Sequence, residues 1–344
     1  MGLNIRDIVP AKEISLDELN NRKLAVDSFN LLYQFITTIR QRDGTPLTDL
    51  QGRTTSHLSG LFNRSMNFMQ KGLKLAFVFD GKPPELKAKE RERRAGLKKE
   101  AQREYEIAKQ RRDIDAMKKY ASRTVRLSKD MIEEAKGLIT AMGMPVIQAP
   151  SEGEAQAAYV VKKGDAYATV SQDFDTLLYS SSLLVRNLSI TGRRKKTGKL
   201  GYDLVRPELI SSSELLNKLG IDADRLLILA ILVGTDYNIG GVKGIGPVKA
   251  LKLVKEYGDD YDALFKNIEW SRHFDVPWTD IYYLFKKMPV TDDYKLSWQE
   301  PDPDKIREIM CEEHDFSQDR IDNAFGKLAD TEHAREQKGL GDFF

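Results

Sequence analysis

A chain of 344 residues, 41% hydrophobic and 31% charged, fits a soluble globular protein of one large or two modest domains. Its longest apolar run, Leu226–Gly234, is far too short to cross a bilayer, no signal-peptide apolar core opens the chain, Arg6 breaks a myristoylation pattern, and the single Cys311 excludes an intrachain disulfide, so an intracellular protein in a reducing compartment is expected. The net charge of +2 hides an asymmetry: residues 82–126 hold 16 Lys/Arg against 8 Asp/Glu, a local +8 beside a remainder of −6, which suggests a polyanionic partner gripped locally and metal ions among acids elsewhere.

Lys23–Asp27 reads as a short buried strand ending in an acid, and Ser28–Arg40 follows with apolar residues at helical spacing. After a turn-rich stretch, Thr54–Lys71 predicts a second amphipathic helix. It feeds Lys74–Phe79, an apolar β-prone run that stops at Asp80, where Gly81 and Pro83–Pro84 break the chain. Strands joined this way are parallel, so Asp27 and Asp80 share one rim of the sheet, and the carboxyl ends of such strands are where open α/β sheets bind ligands. Residues 87–122 are rich in helix formers, free of Pro and sparsely apolar, which predicts long, solvent-exposed helices. Lys129–Met142 returns to an amphipathic helix, Val146–Pro150 is a third strand, and a helix runs from Ser151 through Val161, its Ser151 and Glu154 spaced as a capping box. Ala166–Ser171 is a fourth strand leading into Asp173 and Asp175. Leu183–Leu188 and Lys199–Asp203 predict strands flanking a basic turn, Gly192–Gly198. Leu226–Gly234 is a buried helix leading to Asp236. Beyond it the chain is helical and irregular, with a last amphipathic helix over Phe316–Leu328 and a loose polar tail from Ala329.

Asp27, Asp80, Glu152, Glu154, Asp173, Asp175 and Asp236 thus occupy comparable places. Each has a plain structural reading as a strand stop, cap or turn residue, but together on one rim they would repel strongly unless cations sat among them. Hard oxygen donors without a Cys/His cluster favour Mg²⁺ or Mn²⁺, and two such ions can activate water and stabilise the leaving oxygen of a phosphodiester. Lys87, Arg91, Arg94 and Lys98 fall at i, i+4, i+7 and i+11 and share a helical face next to these acids; the alternative is a solvated helix laced with pairs such as Glu90–Arg94. Val242–Ala250 contains a Gly244-Ile-Gly246 turn with Pro247 at a first helical position. It fits the helix–hairpin–helix class of duplex binders, with Lys243, Lys249 and Lys252 adding charge. At the C-terminus, Gln337, Leu340, Phe343 and Phe344 offer apolar anchors to a partner's pocket.

With these residues in hand, the sequence resembles the flap endonuclease family of structure-specific 5′ nucleases, above all its archaeal members. The likeness runs along essentially the whole chain, through FDGKPPELK (Phe79–Lys87), QAPSEGEAQAAY (Gln148–Tyr159), SQDFDTLL (Ser171–Leu178), GTDYN (Gly234–Asn238) and GIGPVKA (Gly244–Ala250). It implies an α/β fold, a mostly parallel central sheet flanked by helices in a PIN-like core, with a helical arch and a C-terminal helix–hairpin–helix region. The implied division is a nuclease core over 1–236 with the arch near 82–126, a helical region over 237–330, and a flexible tail, 331–344. The seven acids would be the ligands of two Mg²⁺ ions, Mn²⁺ substituting, with Asp80 and Glu154 catalytic. Lys87 and Arg94 would be the catalytic cations at the arch base, and Tyr33 would stack near the nucleotide beside the cut. Lys243, Gly244, Gly246 and Lys249 would grip duplex DNA, often with K⁺, and Thr54 and Thr55 would take a short 3′ flap. The QxxLxxFF tail resembles a sliding-clamp-binding box. The expected activity is removal of 5′ flaps and RNA primers in replication and repair, with 5′–3′ exonuclease activity, by a monomer without membrane contact. Such a protein would be cytoplasmic beside the nucleoid in an archaeon, nuclear in a eukaryote. A catalytically inactive, clamp-associated DNA-junction adaptor is the competing reading.

Overall fold

The computed structural model describes residues 3–41, 43–121, 123–190, 192–195 and 202–341. Its strands are β1 (Lys12–Glu13), β2 (Lys23–Asp27), β3 (Lys74–Phe79), β4 (Val146–Gln148), β5 (Ala168–Val170), β6 (Leu183–Arg186), β7 (Gly192–Lys195), β8 (Tyr202–Val205) and β9 (Glu208–Ser211). One mixed sheet has the order β1-β9-β6-β5-β2-β3-β4, and β7 and β8 form a separate ribbon. From β6 across to β4 all pairings are parallel, while β9 and β1 add antiparallel edges. The chain lays β3 and β4 on one side of β2, then returns to place β5 and β6 on the other. The strand order therefore reverses beside β2, and its carboxyl end is a topological switch point. Both β2 and β3 open on an exposed lysine and continue with buried residues alone, as strands covered on two faces require.

Helices α1 (Ser28–Thr38) and α2 (Ser56–Gln70) cover one face of the sheet. The chain then leaves in α3 (Ala88–Gln110) and α4 (Ile114–Ala121), and comes back in α5 (Lys129–Ala141) to complete that layer over Phe35, Leu61, Phe62, Phe77 and Leu138. Helix α6 (Gly153–Lys162) lies on the opposite face, where Ala25, Ala76 and Ala157 leave little bulk between helix and strands. Helices α7 (Asp175–Leu178), α8 (Ser212–Leu219), α9 (Ala223–Val233), α10 (Pro247–Tyr257), α11 (Tyr261–Asn267) and α12 (Trp278–Lys286) contribute to a second core built around α9, whose Leu226–Leu232 are all buried. Leu3, Ile5, Phe174 and Leu184 join it, so this core reaches back to the sheet.

An extended segment, 288–302, then returns to the α6 face. The buried Gln156 amide exchanges hydrogen bonds with the Thr291 backbone, its Nε2 donating to the carbonyl and its Oε1 accepting from the N–H, both at 2.8 Å. Trp298 Nε1 donates to the Leu75 carbonyl at 2.8 Å, and the Gln299 N–H donates to the Gly143 carbonyl at 2.8 Å. Gly143 has φ +73°, and a Cβ there would lie 2.1 Å from the Gln299 carbonyl oxygen. Gly143→Ala is expected to destabilise the fold by about 2–3 kcal/mol, read as a lower urea midpoint; an unchanged midpoint would mean that the segment is free to shift. Helices α13 (Pro303–Arg307) and α14 (Gln318–Gly341) finish the chain, α14 against α2 with Phe325 edge-on to Phe62 at 6.4 Å.

Two expectations change. The basic stretch Gly192–Lys195 is itself a strand, antiparallel to β8 in a register that sets Arg194 opposite Asp203, because pairing satisfies its backbone N–H and C=O groups. Lys196 to Gly201 lie outside the described residues. The amphipathic pattern ends at Leu328, yet α14 continues to Gly341, so 331–341 is helical rather than a loose tail. The sequence permits it: Ala329, Glu332, Ala334, Arg335, Glu336, Gln337 and Lys338 are all good helix formers. Phe343 and Phe344 fall outside the described residues. No helix among the described residues is long and apolar enough to cross a membrane.

Candidate active site

All seven acids line one cleft of about 480 Å³ at the switch point. Asp27 ends β2 and caps α1, accepting from the Asn30 N–H at 3.1 Å; its second oxygen accepts from Ser171 Oγ at 3.1 Å. Asp80, just past β3, accepts from the Gly153 N–H at 2.6 Å and so caps α6 from a neighbouring strand. A Cβ on Gly153 would stand 2.5 Å from that carboxylate oxygen, which is why glycine sits between Glu152 and Glu154. The expected capping box is therefore absent. The helix starts one residue late for it, with Glu152 at the cap, while Ser151 Oγ donates to the Lys82 carbonyl at 3.0 Å.

Asp173 and Asp175 follow β5. The Asn30 amide donates to Asp173 at 2.9 Å, and the Leu3 N–H donates to Asp175 at 3.2 Å. Asp236 comes from a turn after α9 that is wired from within. Asn238 Oδ1 accepts from the Thr235 N–H and hydroxyl at 3.1 and 2.7 Å, and its Nδ2 donates to the Ile231 carbonyl at 2.6 Å.

The acids repel one another. Burial, then the Asp80 and Asp173 charges, push Asp27 up to about 7; burial and Glu152 push Asp80 to about 6; burial, Asp173 and Asp236 push Asp175 to about 7. Burial and the surrounding acids also hold Glu154 well above the carboxylate range. Lys87 partly offsets this, its Nζ 2.5 Å from Glu152 and 3.3 Å from Asp236; burial opposes its charge, but these two acids win and keep it protonated. Arg94 bridges Asp236 at 2.9 Å and Glu90 at 2.5 Å, and Arg93 takes the other Glu90 oxygen at 2.7 Å. Buried Glu90 thereby anchors the basic helix at the cleft.

Such a donor set, all hard oxygen, partly buried and short of positive charge, fits divalent cations. No three His, Cys, Asp or Glu among the described residues close into a preformed cage, so the acids surround the space rather than clasp a point.

Tyr33 lines the cleft, its hydroxyl donating to the Val125 carbonyl at 2.8 Å and its ring lying 4.8 Å from Lys98 Nζ. Lys98 also lines it, and so does Arg93, whereas Arg91 does not. Lys87 belongs to a 3₁₀ turn, Glu85–Lys87, just ahead of α3, and still lines the cleft. Phe29, Asn30 and Arg93 are lining residues the sequence reading missed; for Asn30 the available signal was its place three residues after Asp27, in the first turn of a helix. Thr54 and Thr55 sit at the start of α2 and do not line this cleft. Lys243, Gly244 and Gly246 lie apart, in the turn before α10, and Lys249 lies in the first turn of that helix; Gly244 has φ +81° and both lysines are exposed. Gln337 and Leu340 lie in α14.

The chain matches the family models described as XPG N-terminal domain, over residues 4–101, and XPG I-region, over residues 143–236. It is 50% identical to Flap endonuclease 1 of Thermococcus onnurineus over 347 residues, covering 100% of this chain and 99% of that one. It is 51% identical to Flap endonuclease 1 of Hyperthermus butylicus, also over 347 residues, covering 99% and 98%. The solved flap endonuclease-1 from Methanococcus jannaschii superposes with a TM-score of 0.75 at 40% identity, over 97% of this chain and 100% of that one. With seven carboxylates on one rim and full-length likeness of this degree, the chain belongs to the flap endonuclease 1 family, in its archaeal form.

Proposed function

We propose that this structure-specific 5′ flap nuclease hydrolyses its phosphodiester with two Mg²⁺ ions, Mn²⁺ substituting, held by Asp27, Asp80, Glu152, Glu154, Asp173, Asp175 and Asp236 directly or through water. The observation that carries this reading is the convergence of all seven acids on one cleft with Lys87 and Arg94 seated among them. Flap nucleases depend on a divalent metal, which when bound activates the attacking water and stabilises the leaving oxygen. Lys87 and Arg94 exchange their carboxylate partners for oxygens of the scissile phosphate and offset the charge that develops there. Tyr33 offers its ring to the nucleotide beside the cut.

The same reading gives 82–126 the single-stranded flap and 237–330 the duplex. The start of α10 supports the second assignment: Gly246 leaves the first backbone N–H groups without a side-chain cap, Pro247 follows, and Lys243 and Lys249 flank them. K⁺ would bind in this turn, Thr54 and Thr55 would take a 3′ flap, and Gln337, Leu340, Phe343 and Phe344 would dock a sliding clamp. The enzyme would work as a cytoplasmic, nucleoid-associated monomer that removes flaps and RNA primers, with 5′–3′ exonuclease activity.

Chelation should abolish cleavage of a labelled 5′-flap DNA, and adding Mg²⁺ back should restore it with a steepness above that of a single site. Cleavage that survives chelation would overturn the metal mechanism.

A further inference from the structure

Two of the acids reach the cleft from the short connection after β5: Asp173 lies in the loop 171–174, which has no regular structure of its own, and Asp175 opens α7. Residues of this connection alternate. The Ser171, Asp173 and Asp175 side chains meet the acids and their partners, while the Gln172 carbonyl and the Phe174 ring meet Arg186 instead. Both of the latter are held by one side chain. Arg186, the last residue of β6 and buried, donates from Nε to the Gln172 carbonyl at 3.0 Å and lays its guanidinium 4.2 Å from the centre of the Phe174 ring. Its Nη1 pairs with Glu208 at 3.3 Å, and Glu208 is its antiparallel neighbour on β9, held in turn by Arg6 at 3.3 Å.

We propose that Arg186 is a positioning residue: by clamping the Gln172 carbonyl and the Phe174 ring on either side of Asp173, it sets Asp173 and the following Asp175 for metal binding without touching metal or DNA. A planar fork suits this task, because it can stack on a ring and donate sideways to a carbonyl at once. A lysine cannot do both. The inference rests on the metal reading of the cleft.

The test uses Arg186→Lys and Arg186→Met in the full chain, with Mn²⁺ loading followed by the electron paramagnetic resonance of the free ion, independently of cleavage. The midpoint for loading should rise on the order of tenfold in both, as for other outer partners of metal ligands. Flap affinity in chelator should stay within about twofold, and turnover should climb back toward wild type as Mn²⁺ is raised. Glu208→Gln, which loosens Arg186 without altering it, should move the midpoint the same way by less, and it carries the test if Arg186→Met does not fold. Variants that melt earlier but load Mn²⁺ at the wild-type midpoint would show a merely structural arginine and overturn the inference. Failure of the wild type itself to load would overturn the metal reading and this inference with it.

Discussion

Asp80→Asn is expected to lower single-turnover cleavage of a 5′-flap DNA by on the order of 10³-fold, while flap binding in chelator holds or strengthens. Asparagine keeps an oxygen for the Gly153 N–H that Asp80 caps at 2.6 Å, so α6 and its two glutamates should stay in place. What disappears is one anionic donor facing the cleft, and losing several kcal/mol of transition-state stabilisation corresponds to a loss of this size. A second readout separates chemistry from folding. Asp80 is pushed up to about 6 by burial and Glu152, so its ionised form strains the metal-free protein at neutral pH. Neutralising it should stabilise the chelated protein by on the order of 1–3 kcal/mol, seen as a higher melting temperature. A variant that is both more stable and inactive is the signature of a charge kept for chemistry. Cleavage within tenfold of wild type would remove Asp80 from the metal set.

Lys87→Met should lower turnover by about 10²–10³-fold at saturating metal, the usual cost of removing one donor from a site where negative charge develops. The direction of the metal effect makes this decisive. Lys87 neutralises Glu152 and Asp236 in the free protein, at 2.5 and 3.3 Å, so its removal leaves a more negative cleft that should take up Mg²⁺ at lower concentration, not higher. Slower turnover together with tighter metal binding is what a lost contact to the phosphate would produce, since a lost counter-ion alone would be replaced by metal. If extra Mg²⁺ instead restored the wild-type rate, Lys87 would be a surrogate counter-ion with no part in the reaction. Titrating rate against Mg²⁺ at saturating flap DNA distinguishes the two.

The carboxylates were legible because each follows an element whose end is marked in the sequence: an apolar run stopping at Asp27 or Asp80, a helix opening at Glu152, a buried helix stopping short of Asp236. Parallel strand connections then bring those ends to one side, whatever the loops between them do. Contacts that cross between elements were not legible. Asp80 capping α6 looks in sequence like a box formed by Ser151 and Glu154, and nothing local says that the cap comes from seventy-odd residues earlier. The helical count named Arg91, but buried Glu90 pairs with Arg93 and Arg94 together at the cleft, a contact that spacing along the helix does not show. Arg186 gave no signal at all, since its partners Gln172 and Glu208 are distant along the chain and ordinary in type.

The returning segment 288–302 also bears on how the molecule is made. Tyr294, Leu296 and Trp298 lie over a face whose other members, Ala25, Ala76, Ile147 and Ala157, are synthesised well before them. Until that stretch leaves the ribosome, the α6 side of the sheet stays uncovered next to β4, an edge strand. Contacts of such large sequence separation form late and slowly, and a bare edge invites association with other chains in the meantime. A nascent chain halted before Trp298 should thus be the sticky, protease-sensitive species on the ribosome, although it already contains every acid of the cleft.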